Sequence, residues 1–417
     1  MTGGHRESQA SAAESPHGGR DPRILIAVPE MCYGRDNVFE SQVLGLARAL
    51  VSLKRQVLVL ASSSRDARAP VVASTASLSE GLSLVTVPAY PKTPHYFSVQ
   101  SAVNCVMREA GPLLREYQPQ IVYSRNPVGY RASRSLSRAL RAQTVFDARA
   151  LIFSEAAYRG RPFPLVLAVR TQERSAVRGA ARVTCVSRAL RDWIRAHFGR
   201  ADLDVVPCCI DSNTLANAHG SRAAVREELG WPLDAPVIVY CGGLDQWQKI
   251  DDVLALMGKL LRARASMRAL FLVSDPARLR ELASRYRLRP DAYDVRRVPQ
   301  RDVGKWLAAC DFGVILRDDV LMNQVASPIK IAEYLAAGLT VVCTKNIGDL
   351  SELVVAEGVG ISIDPNADTD DGGLLALIDA LGDYSVRRSR AQAIARQYLD
   401  WSAHAGTLER LFSTPNT

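Results

Sequence analysis

Three groups of residues in this chain have types and spacings that do chemistry. The first is Ser327-Pro328-Ile329-Lys330-Ile331-Ala332-Glu333-Tyr334, followed one apolar turn later by Gly338-Leu339-Thr340-Val341-Val342. Ser327 is an N-cap residue type, Pro328 suits a first helical turn, and Gly338 ends the helix before a buried strand. A helix start presents free backbone N–H groups, here around Ile329 and Lys330, and a positive dipole end that suits a diphosphate. Glu333 lies six residues past Ser327, where a carboxylate can accept both hydroxyls of a ribose. The plain alternative is an amphipathic helix with one exposed glutamate. The second group runs from Val237 to Lys249: a buried strand, the turn Gly242-Gly243, and a helix starting near Lys249. Bare glycines let the backbone approach a ligand, and Lys249 can meet a diphosphate as a point charge. A lysine at an exposed helix start is the alternative. The third group is Phe146-Asp147-Ala148-Arg149-Ala150-Leu151 with Tyr123-Ser124-Arg125-Asn126, each closing a strand. Arg125 and Arg149 can hold an anionic group, or Asp147 and Arg149 can form a structural ion pair.

Short β-branched runs alternating with amphipathic segments must position these groups. Strands are expected at Arg23–Val28, Gln56–Leu60, Leu84–Val87, Gln120–Ser124, Gln143–Asp147 and Arg182–Ser187. The second half repeats the scheme at Val237–Cys241, Ala269–Ser274, Asp294–Val298, Phe312–Leu316, Thr340–Cys343 and Gly360–Ile363. Helices are expected at Val38–Leu53, Val99–Glu116 and Arg131–Leu140. This alternation predicts an α/β chain with two Rossmann-like parallel-sheet domains facing across a cleft. A density of Pro, Gly and Asn between Pro207 and Pro236 marks the joint. The expected division is a disordered tail over 1–20, an N-terminal domain over 21–206, a C-terminal domain over 207–384, and helices over 385–417 that cross back. No G-x-G-x-x-G follows the first strand and no G-x-x-x-x-G-K-[ST] occurs, which disfavours a nicotinamide dehydrogenase and excludes a P-loop nucleotidase.

The first group resembles the retaining glycosyltransferases of family 4, which have the GT-B fold. Glu333 matches the second glutamate of their Glu-seven-residue-Glu hallmark, and Gly338–Val342 matches the Gly-x-Pro-Val-Val turn, with Thr340 in place of proline. The first glutamate falls at Val325. A subgroup carries Ser-Pro-x-Lys-x-x-Glu-Tyr-x-Ala-x-Gly, which this chain matches closely. Lys249 matches the lysine of the family's Gly-Arg-x-x-x-x-Lys-Gly, with Leu244 for arginine and Ile250 for glycine. Asp147-Ala148-Arg149-Ala150 is similar to the subgroup's Asp-x-Arg-Gly, without the histidine many members place nearby. The resemblance implies transfer of a sugar, with retention, from a nucleoside-diphosphate sugar to a glycan, lipid-linked or small-molecule acceptor. It implies donor binding by Gly242, Gly243, Lys249, Ser327, Ile329, Lys330 and Glu333, and catalytic roles for Lys249, Asp147 and Arg149. Arg125 and Arg149 fall on the acceptor side. No metal and no cofactor beyond the donor substrate are implied. Two alternatives stay open: a non-catalytic GT-B protein that binds a nucleotide sugar or serves a partner, and a nucleotide-sugar epimerase.

Composition bounds the setting. The chain has 47% hydrophobic and 23% charged residues, an ordinary globular balance, and no apolar run of bilayer-spanning length. The first twenty residues lack a hydrophobic signal region, so a cytoplasmic protein is expected. Eight scattered cysteines without C-x-x-C spacing read as reduced thiols. Of the net charge of +9, residues 21–205 carry +12 and the remainder −3. Arg131, Arg134, Arg138 and Arg141, and again Arg170, Arg174 and Arg178, fall at helical spacing. Such stripes suit an anionic membrane surface at the inner leaflet, or are simply a solvated face. Aromatics are 6% and do not interleave with these arginines, so nucleic acid is not expected as a partner. Asp368-Thr369-Asp370 reads as a polar loop rather than a metal site.

Overall fold

The computed structural model describes residues 22–33, 38–63, 74–87, 104, 106, 108–212, 220–286, 288–364, 379 and 384–414. The expected tail over 1–20 and the Asp368-Thr369-Asp370 loop lie outside them. Strand β1 (Arg23–Cys32) sets the pattern: Ile24 to Val28 are all buried, a continuous apolar run of the kind that marks a strand covered on both faces. With β2 (Gln56–Ser62), β3 (Ser74–Ser79), β4 (Leu82–Val87), β5 (Ile121–Ser124), β6 (Gln143–Ala148), β7 (Arg182–Cys185) and β8 (Asp204–Val205) it forms an eight-stranded sheet of order 3-4-2-1-5-6-7-8. Every pairing is parallel except β3 with β4. Helices between the strands bury their apolar faces on both sides of the sheet.

The second sheet has six parallel strands: β9 (Val237–Gly242), β10 (Arg268–Val273), β11 (Tyr293–Arg296), β12 (Phe312–Ile315), β13 (Thr340–Thr344) and β14 (Gly360–Ile363). Their order is 11-10-9-12-13-14. Strand order reverses between β1 and β5 in the first sheet and between β9 and β12 in the second. Those two points are where open α/β sheets leave a crevice at the strands' carboxyl ends.

The chain passes between the sheets twice, and the two passages are bonded to each other. Ile210 N–H donates to Leu399 O at 2.9 Å, Trp401 N–H to Ile210 O at 3.2 Å, and Ser212 N–H to Asp400 Oδ2 at 2.8 Å. Helix Tyr384–Ile394 packs on the second domain, whereas Trp401, Leu408, Leu411 and Phe412 sit in the core of the first.

Three local expectations change. The helix expected from Arg131 begins at Pro127, because Asn126 caps it by accepting from Gly129 N–H at 2.7 Å. Strands β3 and β8 were not expected. Ser327 does not cap its helix: that helix is Ile329–Ala336 with Pro328 at the cap position, and Ser327 Oγ accepts instead from Cys208 N–H at 3.1 Å.

Candidate functional site

Gly313 and Tyr334 build the floor of the second sheet's crevice. A Cβ on Gly313 would collide with the Tyr334 ring, so its absence lets helix Ile329–Ala336 lie close under β12. The Tyr334 hydroxyl then donates to Val314 O at 3.3 Å and accepts from Cys241 N–H at 3.0 Å, joining β12 to the end of β9. Gly242 has a similar use. The Lys330 ammonium crosses the position a Cβ would occupy there. The glycine thus makes room for a side chain of the protein itself, and Lys330 contributes its ammonium as well as its backbone N–H.

Arg317, two residues past the end of β12, reaches the same point. Its backbone is fixed by Thr344, whose Oγ1 accepts from Arg317 N–H at 3.0 Å and donates to Arg317 O at 3.1 Å. Its Nη1 donates to Gln248 Oε1 at 2.6 Å and to Trp247 O at 3.0 Å. Lys330 Nζ donates to the same Gln248 Oε1 at 3.0 Å. Two half-buried cations therefore meet on one neutral amide oxygen, and among the described residues neither forms an ion pair with a carboxylate. The cost shows in Lys330, pushed down to about 7 by burial and by the charge of Arg317. Arg317 was missed in the sequence because Leu316-Arg317-Asp318-Asp319 reads as a solvated turn. Its place just after a strand was the available signal.

Lys249 is differently placed. It sits in left-handed backbone geometry, φ 49°, at the start of helix Ile250–Ala263. Its ammonium is 2.7 Å from Asp252 and 2.8 Å from Asp318, so two carboxylates neutralise it. Glu333 is buried, and one of its oxygens accepts from Gln300 Nε2 at 3.0 Å. Burial pushes its carboxyl up to about 7, against that hydrogen bond and the nearby Lys330. Gly243 closes the turn, its carbonyl accepting from the Tyr240 hydroxyl at 2.6 Å.

The first domain faces this crevice with a tighter set. Asp147 is buried and takes the Tyr123 hydroxyl at 2.5 Å and Arg149 Nη1 at 3.2 Å. Arg149 Nη2 donates to Gln42 Oε1 at 2.7 Å and to Cys208 Sγ at 2.8 Å. Asp147 and Arg149 thus form an ion pair with each other. Arg125 is 9% exposed, and among the described residues its Nη1 has no hydrogen-bond partner. Beside it Glu30, at the end of β1, accepts from Asn126 Nδ2 at 2.8 Å and is pushed by burial up to about 7.

Val325 explains a sequence oddity. It packs among Phe146, Ala148, Leu151 and Val186 of the first domain, and its carbonyl accepts from Ser187 Oγ at 2.7 Å. A glutamate there would bury a charge in an apolar interdomain seam. Further contacts close the same seam. Asp349 accepts from Arg188 and Ala189 N–H at 2.6 and 3.2 Å, and Tyr158 donates to Asp318 at 2.5 Å. A cavity of about 450 Å³ opens beside Ser187, Ser327 and Asp349, but none of Arg317, Lys330 and Glu333 lines it.

Residues 39–214 match the family model described as Glycosyltransferase Family 4, and residues 235–381 that described as Glycosyl transferases group 1. In structure the chain is similar to sucrose-phosphate synthase from Thermosynechococcus elongatus, at 17% identity over 94% of this chain and 98% of that one, TM-score 0.71. It is also similar to WaaG, a glycosyltransferase involved in lipopolysaccharide biosynthesis, at 14% identity over 94% and 100%, TM-score 0.67. HepE of Anabaena in complex with UDP-glucose aligns at 18% identity over 93% and 98%, TM-score 0.65. No curated protein matches in sequence. At these identities the structures speak for the fold, which is GT-B. With glycosyltransferase matches in both halves, the chain is of the glycosyltransferase class.

Proposed function

We propose that this protein transfers a sugar from a nucleoside-diphosphate sugar to an acceptor with retention of configuration and without a metal. The observation that carries the reading is the meeting of Arg317 and Lys330 on Gln248 Oε1, with no ion-pair partner for either among the described residues, at the head of helix Ile329–Ala336. Two like charges held together at a strand-order reversal are stabilised by an anion. A diphosphate supplies two phosphoryl groups, for the side chains and for the Ile329 and Lys330 N–H groups. Arg317 then supplies the cation absent at Leu244.

In this reading Glu333 holds the ribose, and Lys249 joins the leaving group when it exchanges Asp318 for phosphate. Charge that develops on the departing diphosphate meets preorganised donors, so the chemistry is mainly positioning and electrostatic stabilisation. The acceptor enters from the first domain, near Arg125 and Glu30. Asp147 and Arg149 act there as positioning residues for that wall. A cytoplasmic setting and an acceptor at the inner membrane face fit the basic first domain. HepE is described with UDP and with UDP-glucose, which makes uridine the first base to try.

Turnover tests this directly. Purified protein with UDP-, GDP-, ADP- and dTDP-sugars and an acceptor extract should release one nucleoside diphosphate, and Glu333→Ala should lower that release at least tenfold. NMR of the product should show the donor's anomeric configuration. Val325 favours a second reading, a GT-B protein that binds the donor without transfer, since no carboxylate stands where the family's first glutamate would meet the sugar. Nucleotide binding without release of product would select it.

A further inference from the structure

Helix Phe163–Gly179 carries an unusual exposed stripe. Phe163 is 75% exposed and Leu167 50% exposed, and they are followed at helical spacing by exposed Arg170, Arg174 and Arg178. At about 100° per residue these five fall within an arc of roughly 80°. The opposite face is anchored, with Val169 and Ala176 buried. The helix's single acidic residue, Glu173, points inward and accepts from Ile152 and Phe153 N–H at 2.6 and 3.1 Å. The stripe is thus apolar at one end, cationic along its length, and free of acid.

The apolar end lies beside the cleft. Four residues before Phe163, the Arg159 guanidinium stacks on the Trp247 ring of the second domain at 4.6 Å. Its neighbour Tyr158 donates to Asp318, one of the two carboxylates that hold Lys249. Four residues of chain reach at most about 14 Å, so Phe163 stands near the mouth of the donor crevice.

We propose that this stripe docks the protein on an anionic lipid surface. Phe163 and Leu167 enter the interfacial layer, and Arg170, Arg174 and Arg178 meet headgroup phosphates. A bilayer interface takes an apolar tip and a row of cations together. A nucleic acid or an acidic protein surface would match the arginines but leave the phenylalanine and leucine without a complement. Docked this way, the cleft mouth faces the membrane and the acceptor is lipid-borne. That last step rests on the donor-site reading; the docking does not.

Co-sedimentation of the full chain with phosphatidylcholine vesicles, with and without about one third phosphatidylglycerol, tests the surface. Binding should require the anionic lipid. Phe163→Ser with Leu167→Ser should weaken it about tenfold or more, and Arg170→Glu, Arg174→Glu and Arg178→Glu together should abolish it. Nucleoside-diphosphate stabilisation, measured on each variant, should be unchanged, which shows that the fold is intact. Nucleotide response without binding to anionic vesicles would overturn the proposal. So would vesicle binding that the Phe163/Leu167 pair does not affect, which is the behaviour of a purely electrostatic protein or nucleic-acid surface. Vesicle binding with no response to any nucleotide would support the docking and sink the donor reading.

Discussion

Lys330 and Glu333 lie one helical turn apart, and both are held near 7 from opposite sides, Lys330 from above and Glu333 from below. Their effects on ligand binding therefore oppose each other. A diphosphate favours the Lys330 ammonium, whose free-state value of about 7 is depressed, so this contribution is present below 7 and fades as pH rises through it. A ribose favours the Glu333 carboxylate, whose raised value of about 7 means that its contribution grows as pH rises through the same point. Nucleotide affinity should peak near neutral pH. Calorimetric titration from about pH 6 to 9 should show Lys330→Gln losing the alkaline limb and binding about tenfold weaker, as for one charge-assisted hydrogen bond. Glu333→Gln should lose the acid limb. An alkaline limb that survives in Lys330→Gln would remove the ammonium from the site.

Strands β9, β12 and β13 hold the crevice in shape, and Asp311 ties their starts together. Its carboxylate accepts from Arg222 at 2.6 Å, and from Arg226 and Val237 N–H at 2.8 Å each. Arg226 is fully buried and also donates to Ala309, Pro232, Leu233 and Ala235 carbonyls. Asp311→Ala leaves that guanidinium without its counter-charge, and chemical unfolding should report a loss of about 3–5 kcal/mol. A loss below about 1 kcal/mol would show the network to be dispensable. Element placement was largely legible in the sequence. Strands such as Ile24–Val28 and Val237–Tyr240 are continuous apolar runs, and parallel burial makes such runs plain. The polar Ser74–Ser79 strand was not, because its pairing with β4 gives it no apolar signature, and the two-residue β8 is too short to have one. At the site, the Ser-Pro-x-Lys-x-x-Glu run pointed to the helix, but the meeting of Arg317 with Lys330 follows from the β9–β12 reversal. That reversal is a property of strand order, which local spacing does not encode. Val325 likewise became intelligible only once its seam with the first domain was visible.

Across the whole molecule, Asp318 is the point where the two domains and the second sheet's crevice meet. It accepts from Tyr158 of the first domain and from Lys249 of the second. If Lys249 meets the donor's phosphate as proposed, Asp318 competes with the donor for it while tying the domains together. Asp318→Asn keeps the size and a neutral acceptor but lifts the charge. Nucleoside-diphosphate affinity should then rise by up to about fivefold, the scale of a partly exposed ion pair. Weaker binding in this variant would mean that Asp318 organises the site rather than competes for it. The two hydrogen-bonded crossings at Ile210 and Leu399–Trp401 remain in either case, so the variant alters the cleft without severing the joint.

The central claim is that Arg317 and Lys330 receive a diphosphate. Isothermal titration of the wild-type chain with UDP, GDP, ADP and dTDP, and with the matching nucleosides, measures it most directly. One diphosphate should bind, its nucleoside should bind far more weakly, and Arg317→Ala with Lys330→Ala should reduce affinity by at least about a hundredfold, two charge-assisted contacts, in a chain that still unfolds cooperatively. Undiminished binding in that double variant, or no binding of any diphosphate to the wild type, would contradict it.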